Sequence, residues 1–198
     1  MIFVYFELPT TIAEINKALL LDPLTLPQKI NAANIYACAG QYDRSIEQLR
    51  TVLALNPEFF EAHFDLGRIY IRKGMFEQGI KEIQEGAKLT GGDVYGPREL
   101  ASAYAASGRR GEASRLLHHL TERSEAPVDI AAKRSKAPVD MAAIYASLGD
   151  KANAIAWLEK VSQQDPVDFA AMRCVESLDC VSVDPRVQEM FSRLGLPP

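Results

Sequence analysis

Leu53-Ala54-Leu55-Asn56-Pro57 echoes an earlier stretch, Leu19-Leu20-Leu21-Asp22-Pro23, at an interval of thirty-four positions. Gly40, Gly74 and Gly108 keep the same interval, and so do Tyr36, Tyr70 and Tyr104. Three unrelated residue types sharing one period mark the chain as an array of repeats, each a unit that buries its apolar face only by stacking on its neighbours.

Within the period the apolar spacing is helical. Leu66 and Tyr70 are four apart and fall on one helix face. Small residues recur in pairs (Ala33 and Ser45, Gly67 and Gly79, Ala101 and Ala113, Ala142 and Ala154), as two helices of one hairpin need where they cross. Glycine inside a helix costs about 1 kcal/mol relative to alanine, so Gly67 and Gly79 together imply a close approach that outweighs it. Gly40, Gly74, Gly108 and Gly149 end the first helices, where a left-handed residue is needed. The fourth repeat has Met141-Ala142, Tyr145, Gly149, Ala154 and Leu158, and its Gly149 follows Gly108 by more than one period. About seven residues are therefore inserted ahead of it, visible in the near-duplication of Ala126-Pro127-Val128-Asp129 by Ala137-Pro138-Val139-Asp140. Ile12 to Leu21 reads as the second helix of a repeat lacking its first. At the far end Asp184-Pro185 reads as an N-cap and first turn, and Val187, Met190, Phe191 and Leu194 form one stripe that Gly195 ends.

Composition narrows the function classes. With 198 residues, 47% of them hydrophobic, the chain has material for a sizeable core. A net charge of -4 without runs of Lys or Arg argues against a nucleic-acid binder. Cys38, Cys174 and Cys180 do not make a metal-ligand pattern with the three His, so neither a metal nor another cofactor is implied, and three thiols suit a reducing cytoplasm. The apolar start, Met1 to Phe6, is too short for a signal peptide, and no stretch is long enough to span a membrane. His118-His119 has only Arg115 and Glu122 at helical spacing, which makes them surface histidines; His63 and Cys38 read as packing residues. No phosphate loop, dinucleotide fingerprint or nucleophile elbow occurs, and no catalytic residue can be named.

Thirty-four is the length of the tetratricopeptide repeat, and the residues quoted match that family in kind. From about Thr11 onward the chain resembles the tetratricopeptide regions found C-terminal to bacterial winged-helix transcription regulators, adenylate cyclases and Ser/Thr protein kinases. The resemblance rests on Tyr42-Asp43-Arg44-Ser45-Ile46-Glu47, Ala105-Ala106-Ser107-Gly108-Arg109-Arg110-Gly111-Glu112-Ala113, Ile144-Tyr145-Ala146-Ser147-Leu148-Gly149-Asp150-Lys151 and the tail from Asp184 to Pro197. It implies an all-α, right-handed superhelix of the α-solenoid type with a C-terminal capping helix, about nine helices, and no sheet beyond the start at Met1 to Phe6. The expected order is a half repeat at 1–25, repeats at 26–59, 60–93 and 94–124, an insert at 125–136, a fourth repeat at 137–166 and a cap at 167–198.

In this family the first helix of each repeat lines the concave groove. Carried over by position, that implies a peptide-binding groove of Asn31, Asn34, Phe64, Asp65, Arg68, Arg72, Tyr95, Arg98, Glu99 and Ser102. Two readings of its charges stand open: capture of a partner's peptide or helix, or pairing of Asp65, Glu99 and Glu61 with the arginines. The family's clamp for a C-terminal carboxylate is not matched, since Ile30, Asp65, Tyr95 and Glu99 occupy its other positions beside Asn34. The expectation is a non-enzymatic, cytoplasmic protein-interaction module with an unknown protein or peptide partner, no nucleic acid and no membrane. The alternative is self-association as a homodimer through the N-terminal end, where Ile12, Ile15 and Leu19 want a cover.

Overall fold

The computed structural model describes residues 8–21, 25–91, 95–124, 137–164, 169–170, 172, 175 and 178–195. Among them are eleven helices and no strand: α1 (Leu8–Leu21), α2 (Leu26–Cys38), α3 (Tyr42–Leu55), α4 (Phe60–Arg72), α5 (Phe76–Leu89), α6 (Tyr95–Ala106), α7 (Arg110–Ser124), α8 (Ala137–Ser147), α9 (Lys151–Gln164), α10 (Asp179–Ser182) and α11 (Pro185–Arg193). The fold class is all-α, built of tetratricopeptide-type helix hairpins. The short α10 lies beyond the helices the sequence implies, because a single turn is too brief to show a period. The insert at 125–136 and the segment from Met1 to Phe6 lie outside the described residues. The chain forms two compact units, Met1–Gly96 and Pro97–Pro198.

In the first unit α1 to α5 pack each on the next. Ala62, Leu66, Ile69 and Tyr70 of α4 are buried at i, i+4, i+7 and i+8, facing Leu49 and Val52 of α3. Where α4 crosses α5, a Cβ on Gly67 would stand 2.5 Å from Ile83 Cγ1 and 2.9 Å from the Gly79 carbonyl oxygen. A Cβ on Gly79 would come within 2.8 Å of the Gly67 oxygen. At the same crossing one repeat earlier, the Ser45 hydroxyl donates to the Ala33 carbonyl at 2.8 Å. The Tyr and Gly markers are two ends of one turn. Gly40 (φ 71°) and Gly74 (φ 74°) let the next residue's N–H reach back to the Tyr36 and Tyr70 carbonyls, both at 2.8 Å.

The hydrogen bonds carry the period as well. Tyr36 donates its hydroxyl proton to Asn16 Oδ1 at 2.5 Å, and Tyr70 Oη accepts from Arg50 at 2.8 Å. Asn16 and Arg50 are themselves one period apart, so α1 stands on α2 as α3 stands on α4. Ile15, with Ile12, Ala18 and Leu19, packs on Ala32, Ile35 and Tyr36 of α2. The apolar side of α1 is thus covered in part within the unit, and these contacts give no support to a homodimer at this end.

In the second unit α8 and α9 form a hairpin whose core joins Ala142, Ala154, Ile155 and Leu158 to Phe169, Leu178, Val187, Met190 and Phe191. Phe169 and Phe191 meet with ring centroids 4.9 Å apart. The cap is specified locally: Asp184 Oδ1 accepts from the Arg186 N–H at 3.0 Å, Pro185 opens α11, and Gly195 follows its last turn at φ 65°. The Arg186 side chain, then its backbone N–H, holds the Asp184 carboxyl below its ordinary range. That contribution is present at neutral pH and is lost as pH falls through the carboxylate range.

Two glycine substitutions separate close approach from helix propensity. Gly79→Ala forces its new carbon against the Gly67 carbonyl and Ile71, and is expected to cost about 1–3 kcal/mol in urea unfolding. Gly111→Ala, in α7 with nothing within 4 Å, is expected to gain up to about 1 kcal/mol by the same measurement.

Candidate functional site

The first helices of the two complete hairpins in the first unit, α2 and α4, contact one another. Asn31 and Asn34 lie one turn apart on α2, and both are exposed. Asp65, Arg68 and Arg72 continue the row on α4, with Glu61 exposed at its start. Arg68 Nη1 donates to Asp65 Oδ1 at 2.6 Å. The two partners are unequally open, with the Asp65 side chain 12% and the Arg68 side chain 40% exposed. Solvent thus meets an acid already neutralised, an arginine that still presents much of its surface, and two side-chain amides. Such a face offers hydrogen-bond donors and acceptors to a peptide backbone while its charges largely compensate.

Phe64, expected on this face, turns inward and is 2% exposed. Its ring meets Phe60 edge-on at 6.0 Å and lies against Gly86 of α5, where any Cβ would come within 2.8 Å of it. Gly86 is the signal that identifies Phe64 as a core residue, since a glycine in mid-helix opens the space that the ring fills.

His63 is bonded at both ring nitrogens: Nδ1 to Glu82 Oε2 at 2.8 Å and Nε2 to the Pro57 carbonyl at 3.0 Å. One period earlier Lys29 holds the place of His63 and Gln48 that of Glu82, and these two meet at 3.5 Å. This position links the two helices of each hairpin of the first unit with a polar contact.

In the second unit Arg98 and Glu99 of α6 are each 3% exposed. Arg98 Nε stands 3.0 Å from Asp140 Oδ2 of α8, and Arg98 Nη2 stands 3.9 Å from Glu99 Oε1. These side chains form a buried charge cluster rather than an open surface. Burying charges demands such compensation. Asp140 escapes a count by period because the insert shifts it: it follows Glu99 at the interval by which Gly149 follows Gly108, and so holds the same place in its repeat. Ser102 is half-buried on α6, and Tyr95 is its first residue, with a side chain outside the described ones.

Elsewhere, His118 and His119 are exposed on α7, and Cys38 is half-buried at the end of α2. Among the described residues no group of three or more His, Cys, Asp or Glu is placed to hold a metal ion, and no helix is long and apolar enough to cross a membrane.

Residues 33–74 match the TPR repeat family, and residues 60–91 and 139–168 match the Tetratricopeptide repeat family. No curated protein matches the chain in sequence. Among solved structures, a tetratricopeptide repeat protein from Parabacteroides merdae is similar at 19% identity, with a TM-score of 0.63 over 96% of this chain and 72% of the other. A thermophilic TPR protein from Thermus thermophilus is similar at 19% identity, with a TM-score of 0.61 over 86% and 90%. The protein MamA is similar at 18% identity, with a TM-score of 0.51 over 81% and 90%. At these identities the likeness is one of fold.

The charge cluster generates a stability test. Asp140→Ala leaves Arg98 buried against a lost partner and is expected to cost about 3–5 kcal/mol in urea unfolding. The triple change Arg98→Met, Glu99→Gln, Asp140→Leu removes every charge of the cluster and is expected to recover more than half of that loss.

Proposed function

We propose that this chain, a tetratricopeptide-repeat protein, works as a non-enzymatic interaction module that holds a peptide or helix of a partner protein on the α2/α4 face. Tetratricopeptide repeats are protein-interaction modules. The single observation that carries the reading to this face is the row of polar side chains on two adjacent first helices, exposed Asn31 and Asn34 beside half-buried Asp65, Arg68 and Arg72. Spaced amides suit the alternating N–H and C=O groups of an extended backbone, and an arginine suits a partner carbonyl or carboxylate. The resemblance to regions attached to transcription regulators, cyclases and kinases supports a regulatory setting for the contact.

The same reading assigns Phe64, Arg98 and Glu99 to folding rather than recognition, because their side chains are buried. The test compares partner capture by the wild type, by Asn31→Ala/Asn34→Ala and by Arg68→Glu/Arg72→Glu, quantified by mass spectrometry with circular dichroism as a check of folding. Loss of the same partner by both variants, with each contact at the face contributing about 1 kcal/mol or more, is the expected result. Identical capture by all three proteins would place recognition elsewhere.

A further inference from the structure

Leu21, Leu55 and Leu89 are spaced by one period, and each is the last residue of its helix, α1, α3 and α5. All three point outward, being 78%, 52% and 41% exposed, with Leu20 beside the first at 84%. Single exposed leucines are ordinary on a protein surface. Three at one repeat position of one unit are not, because the repeat places them along a common edge, at the ends of helices that run in the same direction.

That edge also has an electrical sign. The C-terminal end of each helix carries roughly half a negative charge on its last carbonyls. Neither α1 nor α3 has a basic residue in its last turn. The only one in the last turn of α5, Lys88, is engaged by Glu85 at 2.7 Å. Exposed Glu58 follows α3 and adds a full negative charge.

We infer that this edge is a second docking surface, and that its occupant is an amphipathic helix of a partner protein with leucine-like side chains on one face and Lys or Arg on the flanks. A helix with an apolar residue at every seventh position offers one anchor per two turns along a single line, so one segment carries an anchor for each leucine. Basic flanks meet the end of α3, which has no basic residue in its last turn, and Glu58 beyond it. Self-pairing through the edge would instead bring helix C-termini against helix C-termini, and an anionic membrane would meet like charge. This surface is separate from the α2/α4 face and stands whether or not that face binds a peptide.

The probe is a labelled synthetic peptide of three heptads with Leu at each seventh position and Lys and Arg on the flanks, titrated into the full chain by fluorescence anisotropy. Its control is the same peptide with Glu on the flanks. The expected result is binding of the basic peptide, at least about tenfold weaker binding of the acidic one, and a similar loss for Leu55→Ser or Leu89→Ser. Asn31→Ala/Asn34→Ala, which changes no charge, should bind the basic peptide as the wild type does. Equal affinity for the two peptides, no binding of either, or no effect of either serine variant overturns the inference. So does a wild-type dimer in sedimentation that Leu55→Ser dissolves, which would make the occupant a second copy.

Discussion

Everything in this fold depends on how closely two backbones approach at the crossing of each hairpin. At Gly67 and Gly79 the approach leaves no room for a single carbon on either side, since a Cβ on one would press on the carbonyl of the other. Two mid-helix glycines give up about 1 kcal/mol each in helix propensity. The loss is offset because α4 and α5 pack with Leu66, Ile69, Ile80 and Ile83 all buried. The first hairpin solves the same problem differently: Ala33 and Ser45 keep the helices far enough apart for the serine hydroxyl to bond the alanine carbonyl. The crossing is thus a position where size is constrained and chemistry is free to vary.

Stacking these hairpins creates a second difficulty. Apolar faces that recur with every period are nearly interchangeable, and interchangeable faces specify register poorly. The polar contacts at repeat-equivalent positions differ from hairpin to hairpin in a way the apolar ones do not. Between one hairpin and the next, Asn16 with Tyr36 becomes Arg50 with Tyr70. A hairpin set against the wrong neighbour would leave a buried tyrosine, Tyr36 or Tyr70, without its polar partner, at about 1–3 kcal/mol. Because each hairpin touches mainly its neighbours, these local pairings suffice to order the stack.

The period, the hairpins, the turn glycines and the capping helix are all legible in the sequence, because each is set by residues close in the chain. Depth is not. Counting along a first helix says which way Phe64 points, but only Gly86, on another helix, shows that the direction leads into a filled core. The same count offers Arg98 and Glu99 as surface groups, and Asp140, displaced by the insert, makes them a buried cluster. Leu21 and Leu55 belong to the marker that reveals the period, yet their side chains are open. Residue type predicts burial in one direction only: polar groups seldom go inside unaided, while apolar groups stay outside often enough that their type alone decides nothing.

One repeat therefore produces two surfaces of opposite character in the first unit. Its first helices carry amides and a compensated ion pair, groups whose hydrogen bonds depend on geometry and discriminate between partners. The ends of its second helices carry exposed leucines, which attract an apolar segment and discriminate little. The two are built from different positions of the same period, so a substitution at Arg68 leaves Leu55 untouched, and the reverse. A partner that touched both would gain affinity from the edge and identity from the face, and lengthening the array by one repeat would extend both in step.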